Sequence, residues 1–457
     1  MSLGGFHRSH QARYLHDYLQ THSENWGIYS IGLLDNDVEL IQHLQSQGNL
    51  YTLVERSGND DVVKVIGSIK STVHAPSKPE FTIEKLSSDD IKIISLTITE
   101  KGYCYDSKKN LDVEHPMIKA DLSPGAIPVS AIGYLFAACN ERMENNGEPF
   151  TLLSCDNLPG NGEVSKRILL QFAEAKDAQV AKWIQQNVSF PNSMVDRITP
   201  APNEDTVKFV KNQFGIEDPA ALVSESFSQW IIEDDFINGR PALEEVGVQF
   251  VKDVEPYEKL KVRLLNGSHS ALSYLSYLIG HRNVDLAMAD PLVADFVRLY
   301  MDEDVTQSIP QVSGIDVEQY KDILIERFSN PAISDQIQRL AMDGSEKIVN
   351  AIAPVIEYQI ENGGSLKYIA FAIAAWYRYL IGVDESGNTI EIVDPMAKDL
   401  SLLANANPQD PKEFLSIAQI FGEKASQNNE FVNQVREKLA LINEMGTKNA
   451  LTKLLQQ

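Results

Sequence analysis

The chain has 457 residues, of which 40 are basic and 64 acidic, so its formal net charge is −24; 43% of the residues are hydrophobic. A polyanion of this kind is repelled by nucleic acid and by anionic membranes, so we expect a small-molecule substrate or a basic protein partner. The length predicts at least two domains.

The cysteine content argues against a disulfide framework and against a structural zinc site. Only Cys104, Cys139 and Cys155 are present, and none forms a C-x-x-C pair. We find no signal peptide at the start, and no run reaches the ~18–20 apolar residues that a membrane helix needs. The sequence therefore predicts a soluble, cytoplasmic protein.

The first half of the chain alternates strand-like and helix-like segments. Predicted strands cover 26–33, 51–56, 62–68, 91–99 and 150–154, and predicted helices cover 5–19, 36–45, a segment ending at 144, and 163–186. This alternation predicts an α/β domain with a mainly parallel sheet.

Helical patterns dominate after about residue 255. They cover 264–279, 291–300, 317–328, 345–359 and 366–380, with three more from 412 to the end. We therefore expect residues 1–255 to form the α/β domain and residues 256–457 a mostly α-helical one.

Two features of the first domain are compatible with a dinucleotide site. Gly4 and Gly5 precede a helix, where a backbone without side chains approaches a pyrophosphate and the helix N-terminus offers N–H groups. Asp35 follows the strand 26–33, where a carboxylate accepts hydrogen bonds from ribose hydroxyls and disfavours a 2′-phosphate. The alternatives are a glycine pair without function and a carboxylate that caps the helix at 36.

A second loop with polar residues lies between the strand 150–154 and the next helix. Asn157 in this loop is able to donate a neutral hydrogen bond to a ligand, because loops after strands face the crevice of an open α/β sheet. The alternative is an ordinary turn.

The most informative stretch begins at Lys261 and includes Asn266 and His269. Asn266 and His269 are three residues apart in a helical pattern and share a face, whereas Lys261 lies about 140° from Asn266 on an ideal helix. A lysine base, a neutral amide donor and an imidazole suit removal of a proton from an alcohol. The lysine must be neutral when it acts, so its pKa must fall towards ~7–8. The alternative is a surface lysine, a helix-start asparagine and a structural histidine.

Zinc chemistry has weak support in this stretch. His269 has neither a cysteine nor a second histidine nearby at a useful spacing. We therefore expect no metal at this site.

Seven segments together resemble one family, the long-chain polyol and hexuronate dehydrogenases, which includes mannitol 2-dehydrogenase and fructuronate reductase. The segments span nearly the whole chain: GGFHRSHQ at 4–11, WGIYSIGL at 26–33 followed by Asp35, LLSCDNLPGNG at 152–162, FPNSMVDRITP at 190–200, KVRLLNGSHS at 261–270, AMADP at 287–291 and AMDGSEK at 341–347. The resemblance implies a Rossmann-type NAD-binding domain, a helical substrate domain and a metal-independent oxidoreductase.

The resemblance also implies roles for individual residues. Lys261 is the general base, Asn266 and Asn157 hold the developing alkoxide, and His269 orients the reacting oxygen. The remaining roles are substrate binding by Arg339, Lys347 and Asp196, proton relay by Glu100, and cofactor binding by Gly4, Gly5, Phe6 and Asp35.

The chain departs from the family pattern at one place. In the family an apolar strand ending in glycine precedes G-G-F-H-R, whereas Met1-Ser2-Leu3 stand there in this sequence. Such a strand is normally central in the sheet, so its replacement predicts a gap and weakened NAD binding.

Three functions remain open at this point. The first interconverts a hexitol and a ketose, such as mannitol and fructose, and the second reduces the hexuronate fructuronate to mannonate. The third is a non-catalytic sugar-binding homologue with an impaired cofactor site. The Lys261, Asn266 and His269 set favours an enzyme, whereas the replaced strand favours the third function.

Overall fold

The computed structural model describes residues 1, 3–58, 60–106 and 108–457. The chain separates into two compact units, Met1–Glu255 and Pro256–Gln457.

The first unit holds all of the strands among the described residues. They are β1 (Ile28–Gly32), β2 (Tyr51–Ser57), β3 (Asp60–Ile66), β4 (Ile69–His74), β5 (Ile93–Leu96), β6 (Phe150–Ser154), β7 (Val188–Ser189), β8 (Ser193–Asp196), β9 (Leu222–Glu225), β10 (Gln229–Glu233) and β11 (Gln249–Val251). Its helices are α1 (Gly5–Ser9), α2 (Gln11–Thr21), α3 (Asp37–Ser46), α4 (Pro79–Ser87), α5 (Thr99–Gly102), α6 (Pro116–Leu122), α7 (Ala131–Glu144), α8 (Asn161–Lys176), α9 (Ala178–Asn187) and α10 (Glu204–Phe214).

The remaining helices form the second unit. They are α11 (Glu255–Lys261), α12 (Gly267–Leu278), α13 (Val284–Met288), α14 (Pro291–Leu299), α15 (Val317–Phe328), α16 (Ile337–Ala341), α17 (Gly344–Ala351), α18 (Ala353–Asn362), α19 (Lys367–Tyr379), α20 (Ala397–Ala406), α21 (Lys412–Leu415), α22 (Ala418–Gln427), α23 (Asn429–Met445) and α24 (Thr447–Leu455). Two π-helical segments, Val262–Asn266 and Tyr300–Val305, interrupt the α-helical pattern.

Most strand pairs of the first unit are parallel. β1 pairs with β4, β5 with β6, β6 with β7, β2 with β9 and β10 with β11, whereas β3 and β8 pair antiparallel with β2 and β10. Helices connect the parallel pairs and bury their apolar faces on both sides of β5 and β6. An α/β first unit and a helical second unit confirm the predicted fold class.

A cavity of about 190 Å³ lies beside the edges of β1 and β5, and residues of both strands line it. The terminal amine of Met1 donates to the carbonyl of Ser95 at 2.5 Å, and the amide of Thr97 donates to the carbonyl of Met1 at 3.4 Å. In the described part of the chain, no strand pairs with both β1 and β5. β1 and β5 therefore belong to different sheets, and the weakened NAD binding expected from the sequence stays a prediction.

The core of the second unit is built around α12 and α19, which pack against each other. Nearly every side chain of both helices is buried, and the rings of Tyr274 and Trp376 stack at 5.8 Å. Of the described helices, none is long and apolar enough to cross a membrane.

Several predicted segments are divided in the structure. The predicted helix 163–186 is wrong as a single helix, because Asp177 ends α8 and its carboxylate caps α9 by accepting from the amide of Gln179. The predicted helix 345–359 breaks at Ile352, since Pro354 in the first turn of α18 is unable to donate a backbone hydrogen bond. Similarly, His10 separates α1 from α2 within the predicted helix 5–19.

The predicted strand 91–99 is too long, since β5 ends at Leu96. Beyond it, the amides of Ile98 and Thr99 bind the carboxylate of Asp156 instead of a neighbouring strand.

Candidate active site

The turn that carries Gly4 and Gly5 packs against the loop after β8. A Cβ atom on Gly5 would lie 3.3 Å from Cδ of Pro202, so glycine permits this close approach. The hydroxyls of Ser9 and Thr199 lie 2.8 Å apart, and Nη1 of Arg197 donates to the carbonyl of Ser9 at 2.6 Å. Two distant sequence motifs, at 4–11 and 190–200, therefore form one structural unit.

Two buried arginines, Arg8 and Arg197, hold this turn in place, and the sequence did not predict this role. Arg8 donates from Nε to the carbonyl of Leu3 at 3.1 Å, and Tyr51 donates from its hydroxyl to the carbonyl of Arg8 at 2.6 Å. Arg197 also pairs with Glu55 at 2.6 Å. Phe6 is half-buried and stacks on His10, with ring centroids 4.9 Å apart.

Asp35 lies in the exposed turn after β1, at the carboxyl end of that strand. The side chain that binds the turn is that of Asp37, whose Oδ2 accepts from the amide of Leu34 at 2.9 Å. Asn36 is the N-cap of α3. The alternative in which Asp35 caps this helix therefore has no support from the geometry.

A buried carboxylate joins the loops that follow β5 and β6. Asp156 accepts from the amides of Ile98 and Thr99 at 3.2 and 2.8 Å, and from the hydroxyl of Tyr103 at 2.8 Å. Burial raises the pKa of Asp156. These bonds fix the short helix α5, on which Glu100 is exposed. No sequence pattern pointed to a role for Asp156, although it directly precedes Asn157.

The two asparagines of the loop after β6 differ in environment. Asn157 is exposed. Asn161 is fully buried; its Nδ2 donates to the carbonyls of Asp156 and Ser193 at 3.0 and 2.8 Å, and its Oδ1 accepts from the amide of Ser193. A Cβ on Gly162 would lie 2.5 Å from the carbonyl oxygen of Phe190, so this glycine is required by packing. Asn161 and Gly162 are therefore structural.

Asp196 is the last residue of β8 and is buried opposite Gln229 of β10. Its neighbour Arg197 belongs to the network that fixes α1. Each half of the motif at 190–200 thus has its own environment, one at a strand end and one beneath the glycine turn.

In the second unit, Lys261 directly precedes a π-helical segment and Asn266 is its last residue. Lys261 ends α11, the π-helix covers Val262–Asn266, and Gly267 begins α12. The i→i+5 hydrogen bonds of a π-helix widen its turn, so residues five apart lie at a smaller angle around the axis than in an α-helix, and such segments are frequent at functional sites. The angle of 140° expected from an ideal helix is therefore wrong for this pair. Lys261 is only 6% exposed, and Asn266 is half-buried.

The π-helical segment packs closely against the second one, Tyr300–Val305. A Cβ on Gly267 would lie 2.8 Å from the hydroxyl of Tyr300, so only glycine permits this contact. The sequence contains no period that identifies a π-helix, and the glycine after Asn266 was its one local indication.

His269 lies one turn beyond Asn266 on α12, with its ring 4.3 Å from that of Phe328. Burial, together with the charges of Arg327, Arg339 and Lys347, lowers its pKa to about 3. With this pKa the imidazole of His269 is neutral throughout the physiological range, so any hydrogen bond that it donates comes from an uncharged ring.

Arg339 lies on α16 and Lys347 on α17, and both helices pack against α12, which carries His269. Arg339 pairs with Asp335, which raises its pKa, and Nζ of Lys347 donates to the carbonyl of Leu340 at 3.0 Å. Burial lowers the pKa of Lys347. The structure thus places three of the predicted site residues together, and it adds Asp335, which the sequence did not single out.

Arg263, within the π-helical segment that follows Lys261, donates to the carbonyl of Ser308. In the described ranges, no three His, Cys, Asp or Glu side chains are grouped so that they would hold a metal ion.

Comparisons with known proteins cover both units. A family model described as the mannitol dehydrogenase Rossmann domain matches residues 1–245, and one described as the mannitol dehydrogenase C-terminal domain matches residues 253–443. Mannitol 2-dehydrogenase of Aspergillus fumigatus is 42% identical over 100% of the chain and 92% of its own length. D-mannonate oxidoreductase of Escherichia coli is 40% identical over 99% of the chain and 94% of its own length.

Two solved structures are also similar. A ternary complex of Pseudomonas fluorescens mannitol 2-dehydrogenase with NAD and D-mannitol has a TM-score of 0.88 and 41% identity, and covers 100% of this chain and 93% of that one. A substrate-free D-sorbitol dehydrogenase has a TM-score of 0.92 and 36% identity, over 98% of this chain and 93% of that one.

Proposed function

Because the chain belongs to the mannitol dehydrogenase family, we propose that it is an NAD-dependent dehydrogenase that interconverts a hexitol and its ketose, of the mannitol and fructose type. The observation that carries this proposal is the arrangement of Lys261, Asn266 and His269 on a helix with a π-helical segment. A buried lysine beside a neutral amide and a neutral imidazole suits the oxidation of a secondary alcohol.

The residues of the first unit fit NAD. Gly4 and Gly5 form a turn without bulky side chains before α1, and Phe6 follows at the start of that helix. Asp35 presents a carboxylate at the carboxyl end of β1, where it would accept from the ribose hydroxyls and repel a 2′-phosphate. When bound, NAD accepts hydride from the carbinol carbon.

The protein's own groups manage the proton and the oxygen. The neutral amine of Lys261 takes the proton of the substrate hydroxyl, and the amide of Asn266 donates to the alkoxide that develops. His269, neutral because of its low pKa, donates a further hydrogen bond that orients this oxygen. We assign Asn157 of the first unit to the second amide donor.

The remaining assignments concern binding and proton release. Arg339, Lys347 and Asp196 bind substrate hydroxyls, and Glu100, exposed on α5, relays the released proton. Since the lysine provides the base and the amides stabilise the oxyanion, the proposal requires no metal. We expect turnover to be unchanged after treatment with a chelator.

We also propose a cytoplasmic location. Cys104, Cys139 and Cys155 are buried free thiols, as a reducing compartment favours. With a net charge of −24, nucleic acid is not an expected partner.

A second candidate is the reduction of fructuronate to mannonate. It is favoured by the similarity to D-mannonate oxidoreductase and by the cationic groups of Arg339 and Lys347, which suit a carboxylate. Steady-state rates with fructose and with fructuronate, followed by NADH absorbance, separate the two.

We predict a higher kcat/KM for fructose than for fructuronate. The reverse order would favour the second candidate. The absence of turnover with both, in either direction, would instead favour a non-catalytic homologue.

A further inference from the structure

Asp335 holds the guanidinium group of Arg339 from one side. Nε of Arg339 donates to Oδ1 of Asp335 at 2.8 Å, and Nη2 donates to Oδ2. The side chain of Arg339 is 61% exposed, whereas that of Asp335 is only 14% exposed. The carboxylate is therefore the more buried partner, and most of the arginine side chain is accessible to solvent.

The backbone around Asp335 is well anchored. Its carbonyl accepts from the amide of Val284 at 2.9 Å, and an isolated antiparallel bridge joins its neighbour Gln336 to Asn283. The amide of Ile337 donates to the carbonyl of Arg282 at 2.9 Å. A carboxylate on such a bridge is able to fix the direction of a long arginine side chain.

The negative charge of Asp335 affects the pKa of two other candidate site residues. Its carboxylate opposes the fall in the pKa of His269, where Arg327, Arg339 and Lys347 act in the opposite direction. It also opposes the fall in the pKa of Lys347, together with Asp343 and Asp394. Asp335 thus supplies negative charge within a cluster that is otherwise basic around His269.

The ion pair of Arg339 and Asp335 has no net charge, but Arg339 keeps hydrogen-bond donors that Asp335 does not use. A bidentate bond uses two of the five N–H groups of a guanidinium, so three remain to bind hydroxyls. A neutral hexitol uses these donors without cost. A hexuronate brings a carboxylate that needs an unpaired cation and is repelled by Asp335.

We propose that Asp335 is a positioning and specificity-determining residue, which directs Arg339 and favours neutral sugars over sugar acids. The proposal rests on the function proposed above, in which Arg339 binds substrate. It assigns the choice between hexitol and hexuronate to the partner of the arginine instead of to the arginine itself.

The substitution Asp335→Asn tests this proposal, since it removes one negative charge and retains the shape. We expect the ratio of kcat/KM for fructuronate to kcat/KM for fructose to rise about tenfold, because the guanidinium becomes an unpaired cation. Asp335→Glu retains the charge and should keep most of the original preference. An equal fall of kcat/KM for both substrates in Asp335→Asn would show a structural role only and would overturn the proposal.

Asp410→Asn is the matched control. Asp410 is an exposed carboxylate of the same unit that accepts two N–H bonds from Arg436, at 3.1 and 3.0 Å. We expect it to leave the substrate ratio unchanged. If the unaltered enzyme turns over neither substrate, the proposed function fails and this inference with it; if it reduces fructose while Asp335→Asn leaves the ratio unchanged, only this inference fails.

Discussion

Asn157 and Asn161 both follow β6, but their side chains lie in different environments. Asn161 makes three hydrogen bonds in a buried position and ties the loop after β6 to β8, whereas the side chain of Asn157 is exposed. The exposed position of Asn157 makes its side chain accessible to a ligand.

We therefore predict opposite effects for the two alanine substitutions. Asn157→Ala should lower kcat about 100-fold, as loss of one oxyanion donor does, with a smaller fall in melting temperature than Asn161→Ala. Asn161→Ala should lower the melting temperature, because it leaves buried carbonyl and amide groups without partners. Thermal unfolding and steady-state kinetics of both variants check this. A normal kcat in Asn157→Ala would remove this residue from the proposed site.

At the residue scale, the sequence identified the candidate site residues, but it did not predict their charge states. The spacing of Asn266 and His269 predicted a shared helical face, and the chain places them one turn apart. That His269 is neutral depends on Arg327, Arg339 and Lys347, which come from later in the chain. Such charges become neighbours only through packing, so no local pattern predicts them.

At the scale of elements, the π-helix Val262–Asn266 has the clearest effect on the candidate site, because it changes the angle between Lys261 and Asn266. Regular periodicity placed the lysine on a different face from the asparagine, and the wider turn of the π-helix reduces the angle between them. It is held by tertiary packing, as the close approach of Gly267 to Tyr300 shows. A rule derived from ideal helices therefore fails here, although it placed most helices of the second unit.

The parallel strands β1 and β5 border a cavity, and this arrangement bears on the cofactor. Met1 bonds to the β5 side through Ser95 and Thr97, and the glycine turn follows directly. The turn is also held by hydrogen bonds that involve Arg8, Tyr51 and Arg197, so its position does not depend on a bound cofactor.

We predict that Asp35→Ala weakens NADH binding at least about tenfold, a difference of ~1.4 kcal/mol, because the variant lacks the carboxylate that would accept from the ribose hydroxyls. Isothermal calorimetry on the unaltered protein and the variant under the same conditions measures it. Asp410→Asn, in the second unit, serves as the control and should leave the affinity unchanged. Equal affinities of Asp35→Ala and the unaltered protein would remove Asp35 from the proposed cofactor site.

At the scale of the whole molecule, composition and alternation were sufficient for the fold class. The strand–helix pattern before residue 255 and the helical pattern after it correspond to the α/β and helical units of the structure. The antiparallel pairing of β8 with β10 depends on contacts between segments that are distant in the chain, whereas β2 and β3 directly follow each other. Element ends, such as those of β5 and α8, are set by single carboxylates, Asp156 and Asp177, which the periodicity does not reveal.

The central claim is that Lys261 is the general base of an alcohol oxidation. The most direct test is the rate of mannitol oxidation by Lys261→Ala, measured by NADH absorbance with and without added methylamine, and with circular dichroism to confirm the fold. We predict a fall in kcat of about 100- to 10,000-fold with the fold retained, and partial recovery that follows the concentration of the free amine. Turnover of Lys261→Ala at the rate of the unaltered enzyme would contradict the claim.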